Sequence, residues 1–526
     1  ANEGTNGLQW RARQWTVNGS LVENRLGDIV NSNPLYVGPP IPNLPGPNYN
    51  EFAKGVKNRK PVVYVGANDG MLHAFDASKP GTADASPGKE ILAYVPSAVY
   101  SRLSQLTSPG YSHKYYVDGS PVVSEACSGT CGNVNNWKTV LVGGLNAGGQ
   151  GIYALNVTDP SKFSSLQPTD IVMWEFTDRD DADLGYTFSK PTIRLMNNGK
   201  WAVIFGNGFN STANTTGASS DDKVGTGRAY LYILMLDGPT GANNKWQKDT
   251  DYYKIELKDK DDTGAATLAD PNTNGLATVA AVDRDLDGTT DLLYAGDLQG
   301  NVWKIDVSSS NWAEWMTAFG TSASPVPLFK AGYKDTNSND IKQSITTGIE
   351  VSAHPNGGFM VLFGTGSFIN TSDNIGPFKV DSMYGIWDKE DTDKTKVTSR
   401  DQLQPQKVVR TVTQGSDVFL FQSACKPNYT NVEGASNEKP GLCPFDISKT
   451  KPRLGWVFDL PDNGERTALV LLQGFVANQG DAWSYTQDYL KRFLEDCLQQ
   501  PEMAVSYTHL RAHETDSYLV CRLLLE

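Results

Sequence analysis

"VYVGANDGMLHAFDA", residues 63–77, and "LYAGDLQGNVWKIDV", residues 293–307, share one frame. Each reads apolar run, glycine, three residues, glycine, then an apolar stretch closed by aspartate. Gly66 matches Gly296, Gly70 matches Gly300, and Asp76 matches Asp306. An apolar strand ends, a glycine-bearing turn reverses the chain, and a second strand returns, which is the pattern of a β-hairpin. Looser copies follow at "VLVGGLNAGGQGIYALNV" (140–157), at "AVIFGNGFN" (202–210) reaching "AYLYILMLDG" (229–238), and at "VLFGTGSFIN" (361–370) reaching "SMYGIWDKE" (382–390). The units recur roughly 60 to 90 residues apart, where a minimal propeller blade needs about 40 to 45. Each interval therefore holds a four-stranded blade with insertions, or more than one blade. Radially arranged sheets bury both faces between neighbours and leave few open edges. The expected fold is all-β, a modified β-propeller with insertions; an array of β-sandwiches is the alternative and predicts no ring.

Composition agrees. The 526 residues include 50 glycines and 10% aromatics, with little helical periodicity before about residue 480. The formal net charge of −13 argues against nucleic acid as a partner, because phosphate binding requires clustered Lys and Arg. It suits a soluble protein or one that handles cations. No run approaches the length of a membrane span. The chain opens on "ANEGTNG" without Met, so a missing signal sequence does not argue for the cytoplasm.

Six cysteines are present. Cys127 and Cys131 enclose "SGT", and Cys425 and Cys443 flank a Pro-, Asn- and Gly-rich loop. Two close pairs in loop-like sequence suggest local disulfides and an oxidising compartment, with four free thiols as the alternative. Zinc ligation is disfavoured because no His or second Cys pair stands at metal spacing.

"AVDRDLDGTTDLLYAGD" (281–297) crowds carboxylates. Counted from Asp283, they fall at positions 1, 3, 5 and 9 (Asp283, Asp285, Asp287, Asp291), with Gly288 at 6 and Thr289 at 7. Oxygen-rich loops wrap Ca²⁺ in this frame, with a backbone carbonyl at position 7 and glycine permitting the sharp turn. Position 12 is Tyr294, where an EF-hand needs a bidentate Glu, and strand-like sequence flanks the loop on both sides. The expectation is a short calcium loop between two strands of a blade; a solvated acidic turn is the bland reading. A second acidic cluster, Asp178, Asp180, Asp181 and Asp183, lacks the frame and reads as a solvated loop, with a metal site as the alternative.

Catalytic signatures are missing. Of five histidines, His73 sits on a returning strand in a core or hydrogen-bonded role, and His113 and His354 lie in polar loops with no matching nucleophile motif. There is no G-x-S-x-G, P-loop or H-E-x-x-H. The chain is expected not to be an enzyme.

"GDIVNSNPLYVG" (27–38), "VYVGANDGMLHAFDA", "YVDGSPVV" (116–123), "VLVGGLNAGGQGIYALNVTDP" (140–160), "LGYTFSKPTI" (184–193) and the acidic loop resemble, in this order, the C-terminal domain of PilY/PilC-type proteins. These are tip-associated adhesins and assembly factors of the type IV pilus. The resemblance spans residues 27–466. It implies a seven-bladed propeller, export to the cell surface, pilus tip or outer membrane, and roles in pilus biogenesis, twitching motility and adhesion. It implies pilin and minor pilins as partners, with host or abiotic surfaces, and calcium that biases pili between extension and retraction. The family's ligands carry over onto Asp283, Asp285, Asp287 and Asp291, with Thr289 through its carbonyl. The family's large N-terminal region is absent, and no Arg-Gly-Asp tripeptide occurs.

The C-terminus departs from that pattern. Residues 1–466 are assigned to the propeller. "LLQGFVANQGDAWSYTQDYLKRFLEDCL" (471–498) is similar to a piece of the maltokinase part of trehalose synthase fusions and is amphipathic, so 467–500 is expected to be a short helical fragment of chimeric origin. Residues 501–526 resemble a translated sequencing-adapter tail. A real C-terminal helix on the propeller is the alternative. Two other functional classes stand beside the pilus reading. A quinoprotein-like dehydrogenase also has glycine-punctuated blades and calcium, but such enzymes carry an adjacent Cys-Cys pair, and none occurs here. An integrin-like adhesion propeller repeats its Asp loops in several blades, whereas one stands here.

Overall fold

A computed structural model describes residues 26–422 apart from short stretches, the longest being 212–224 and 260–272, together with 11, 14–17, 20–23 and 455–459. The chain divides into two compact units, Ala1–Asn374 with Met383–Gln402, and Ile375–Ser382 with Leu403–Glu526.

The first unit is built from successive antiparallel sheets, each following chain order. The first comprises Leu35–Val37, Val62–Ala67, Met71–Asp76 and Glu90–Tyr94. The second comprises Val122–Cys127, Trp137–Gly144, Gly151–Asn156 and Val172–Thr177. The third comprises Thr192–Leu195, Trp201–Gly206, Ala229–Met235 and Tyr252–Leu257. In the fourth, Ala280–Val282, Leu292–Gly296, Asn301–Asp306 and Met316–Thr317 are joined by Phe329–Lys330. In the fifth, Glu350–Ala353, Phe359–Gly364 and Ser382–Asp388 pair in turn. A count of seven blades would draw on more than these described sheets.

The glycine frame explains the two matched hairpins. Gly70 and Gly300 reverse the chain at φ of +96° and +82°, conformations that cost a side chain. Gly66 lets another segment approach, since a Cβ there would stand 2.3 Å from the Val117 carbonyl oxygen. The closing aspartates share a role. Asp76 accepts the Ser78 N–H at 2.8 Å and Asp306 accepts the Ser308 N–H at 3.0 Å, so each carboxylate turns the chain out of its strand.

Alternation along the strands decides between propeller and sandwich. Leu141, Tyr153 and Leu155 of the second sheet join Val62, Tyr64, Leu72 and Ala74 of the first in one core. Val140, Val142, Ile152 and Ala154 of the same sheet join Val203, Phe205, Tyr230 and Tyr232 of the third. Ala202, Ile204, Leu231 and Ile233 of the third pack with Leu293, Ala295, Trp303 and Ile305 of the fourth. The second and third sheets thus each share one core with the sheet before and another with the sheet after. That is blade packing; a β-sandwich would leave one face of each sheet outside.

Polar staples cross these interfaces. Arg59, ahead of the first sheet's second strand, pairs with Glu125 of the second sheet at 2.9 Å, with both side chains 4% exposed. Its guanidinium also donates to the Gly38 carbonyl and the Thr139 hydroxyl. The helix Tyr49–Val56 lays Tyr49 and Phe52 against Trp137. Cys127 and Cys131 form the expected local disulfide; Cys425 and Cys443 lie outside the described residues.

In the second unit, Gln404–Gln406 runs parallel to Gly455–Asp459, and Val408–Gln414 forms a hairpin with Asp417–Gln422. The helical fragment expected at 467–500 and the tail at 501–526 lie outside the described residues. No helix among the described residues is long and apolar enough to cross a membrane.

Candidate metal centre

The acidic loop joins the first two strands of the fourth sheet. Val282 and Leu292 are paired at its neck, and the Asp291 N–H donates to the Val282 carbonyl at 3.0 Å. Two residues reverse the chain between them. Leu286, at the tip, has φ of +64° and is 86% exposed; Gly288 has φ of +94°.

Asp283, Asp285 and Asp287 each place one carboxylate oxygen so that the three lie within 4.8 Å of one another. Oxygens on one Ca²⁺, each at about 2.3–2.6 Å from it, stand at most about 5 Å apart. The donor set fits the ion in chemistry and in spacing. Asp283 is half-buried, and Asp285 and Asp287 are exposed. Backbone donors meet the same carboxylates: the Gly288 N–H reaches Asp283 at 2.8 Å and the Thr289 N–H reaches Asp287 at 2.7 Å. The Thr289 side-chain and backbone hydrogen bonds hold the Asp287 pKa below its ordinary value.

The other two expected ligands stand at the base of the loop rather than in this trio. Asp291 is 4% exposed, and its carboxylate accepts the Arg284 N–H at 2.8 Å and the Asn197 side-chain amide at 3.2 Å. The Thr289 hydroxyl lies 2.6 Å from Asp287 and 3.1 Å from the Asn197 side-chain oxygen. Asn197 belongs to the first hairpin of the third sheet, and its amide also donates to the Thr290 carbonyl at 2.8 Å. The Thr290 N–H in turn donates to Leu195 at 2.9 Å. On the other side, the Arg284 guanidinium reaches Glu390, just past the fifth sheet's third strand, at 3.2 Å. Sequence reasoning missed both Asn197 and Glu390. They lie 92 residues or more from their partners, and no local spacing marks them.

The second acidic cluster is not the solvated loop its sequence suggests. Lys254 from the third sheet's last strand pairs with Asp181 and Asp183, all three side chains 10–13% exposed. Asp181 also accepts the hydroxyls of Tyr232 and Tyr252 at 2.9 and 3.0 Å, and Lys254 lies 4.2 Å from the Tyr230 ring centre. Burial raises the Asp183 pKa, but the Lys254 charge and hydrogen bond outweigh it and hold it low. Asp180 goes the other way, raised by burial. Asp181 and Asp183 are satisfied by Lys254 and tyrosines, and Asp180 by Thr177, which makes this part of the cluster a structural tie between the second sheet's exit and the third sheet.

The three histidines among the described residues are placed as expected. His73 is 3% exposed, its two ring nitrogens facing Glu90 at 2.5 Å and Asp69 at 3.1 Å. His113 contacts Asp28 at the surface, and His354 stacks on Trp387.

Comparison with known proteins gives one answer. Residues 26–425 match the model of the PilY1 beta-propeller domain. The type IV pilus biogenesis factor PilY1 of Pseudomonas aeruginosa is 33% identical over 484 residues, covering 86% of this chain and 36% of that protein. A PilY1 homolog of Xylella fastidiosa is 36% identical over 376 residues, covering 69% of this chain and 22% of its own length. The chain therefore spans roughly a fifth to a third of these relatives. Among solved structures, the P. aeruginosa PilY1 C-terminal domain superposes with a TM-score of 0.58 at 30% identity, covering 82% of this chain and 78% of that one. The relatives are named as biogenesis factors, in keeping with a non-enzymatic role.

Proposed function

Because the chain belongs to the PilY1 β-propeller family of type IV pilus factors, we propose that it is a calcium-binding, non-enzymatic surface module of the pilus machinery. It promotes pilus biogenesis, twitching motility and surface adhesion, and calcium occupancy biases pili between extension and retraction. Its partners are pilin and minor pilins, with host or abiotic surfaces, and its place is the pilus tip or outer membrane after export. The observation that carries the calcium part is the convergence of three carboxylate oxygens within 4.8 Å in one loop. Asp283, Asp285 and Asp287 hold the ion, while Asp291 and Thr289 shape the base of the loop and complete the set the family implies. When bound, the ion supplies charge that offsets carboxylate repulsion.

The test is calcium titration by calorimetry on the whole chain and on Asp285→Asn. Asp285 is chosen over Asp291 because it is exposed and accepts only the Asp287 N–H in its loop, at 3.3 Å, so its loss leaves the loop base intact. One saturable site in the parent, weakened tenfold or more in the variant, supports the reading. Complementation of a pilus-factor deletion strain by the two forms, scored for twitching, then tests its consequence. Equal calcium binding by parent and variant overturns the assignment of the site.

A further inference from the structure

Arg284 stands between two of the three converging aspartates in sequence, yet its guanidinium does not lie among them. It is drawn off by Glu390 at 3.2 Å, across to the fifth sheet. Glu390 is itself anchored. Lys304, 5% exposed on the fourth sheet's third strand, pairs with Glu390 and with Asp388, the latter at 2.7 Å. The Tyr294 hydroxyl also donates to Asp388, at 2.7 Å. Tyr294 and Lys304 face each other across adjacent strands. Glu390 is thus the meeting point of two cations, one buried and fixed and one on the acidic loop.

We propose that Glu390 is a positioning residue that sets the cation affinity of the loop by holding the Arg284 guanidinium away from Asp283, Asp285 and Asp287. The proposal rests on the calcium reading above. An arginine released beside three carboxylates is a tethered competitor for any cation. It carries one charge where the ion carries two, but it never diffuses away, and its planar fork suits carboxylates bidentately. Glu390 removes that competitor by offering a carboxylate already fixed by Lys304. The loop's affinity is then set by a residue of a different sheet, and any motion of the fifth sheet's strand end that draws Glu390 back returns Arg284 to the loop and weakens its hold on the ion.

The experiment is calcium titration of the whole chain in four forms: parent, Glu390→Gln, Arg284→Gln and the double variant. Glu390→Gln is expected to weaken binding about tenfold, and Arg284→Gln to leave it equal or tighter. In the Arg284→Gln background, Glu390→Gln is expected to change affinity less than twofold. Hydrogen exchange over residues 382–390 supplies a second readout, since calcium binding to the parent should slow exchange there and should not do so in Arg284→Gln. A Glu390→Gln effect that persists in full without Arg284 marks plain long-range charge and overturns the proposal. Parent-like affinity in Glu390→Gln overturns it as well. If Glu390→Gln does not fold, Arg284→Gln alone decides, and a tenfold loss of affinity in it refutes the competitor role. A parent that binds no calcium removes the calcium reading itself, and this proposal with it.

Discussion

Glu125→Leu is the substitution that best tests whether adjacent blades are tied by charge as well as by apolar packing. Glu125 lies on the second sheet and Arg59 beside the first, 2.9 Å apart with both side chains 4% exposed. Removing the carboxylate leaves a guanidinium with the Gly38 carbonyl and the Thr139 hydroxyl as its remaining acceptors. A buried charge stripped of its partner costs about 3–5 kcal/mol, whereas replacing both members by apolar groups of similar size is close to neutral. The expected result is a loss of about 3–5 kcal/mol in Glu125→Leu and of less than about 1 kcal/mol in Arg59→Met/Glu125→Leu. A chain of several blades does not guarantee two-state unfolding, so the measurement is native-state hydrogen exchange in the strands Val122–Cys127 and Trp137–Gly144, which reports local opening free energies directly. The near-normal value belongs to the double variant. If the single variant loses less than about 1 kcal/mol, or the double variant loses as much as the single, the interface does not depend on this pair as argued.

Three further outcomes are expected. Leu286→Gly, at a tip residue with φ of +64° and 86% exposure, removes backbone strain without losing packing; it should stabilise the loop by about 0.5–1 kcal/mol and tighten calcium binding two- to fivefold, and weaker binding contradicts the strain argument. Burial works against the His73 charge, but the hydrogen bonds and charges of Asp69 and Glu90 raise its pKa above 6.5, so its stabilising contribution is complete below the unfolded value and disappears as pH rises through the folded one. The difference in stability between parent and His73→Gln should therefore hold steady below the unfolded value and shrink as pH rises above it, and denaturation curves that stay parallel across that rise refute the assignment. Trp303→Phe takes the indole donor at 2.8 Å from the fully buried Asp297 carboxylate and should cost about 1–3 kcal/mol, read as faster exchange in the fourth sheet; unchanged exchange rules out that dependence.

The hairpin frame was readable because its chemistry is local. Gly70 and Gly300 are needed where the chain turns left-handed, and Asp76 and Asp306 cap turns two residues on, so all four act within reach of their own sequence neighbours. Asp283, Asp285 and Asp287 were readable for the same reason, since a loop folding on itself brings alternate residues to one side. What escaped depends on distant chain. The cluster at Asp181 and Asp183 looked solvated because the lysine that neutralises it stands 71 residues or more away, and nothing near either segment announces the other. Asp291 fits the spacing of a ligand, but its carboxylate also accepts the Arg284 N–H and the side-chain amide of Asn197 from another sheet, a contact that spacing does not show. Spacing identifies which oxygens a loop offers; the neighbouring blades decide which of them are left to offer.

That division bears on how four carboxylates coexist in nine residues. Repulsion is already met in part by the loop's own backbone. The N–H groups of Asp287 and Gly288 point at Asp283, that of Thr289 at Asp287, and that of Arg284 at Asp291. Asn197 fixes the base from the third sheet, and Glu390 draws the loop's one cationic side chain toward the fifth. The carboxylates are therefore arranged by the protein alone, and on the proposed calcium reading little ordering cost is left to be met on binding. A loop prepared in this way responds less to its own flexibility than to the sheets that hold it. If the loop binds the proposed ion, affinity and the spacing of neighbouring blades become two readings of one equilibrium: a shift of Asn197 or Glu390 would change binding, and by reciprocity binding would resist the shift. On the proposed calcium reading, that linkage would give an ion a mechanical consequence without a hinge.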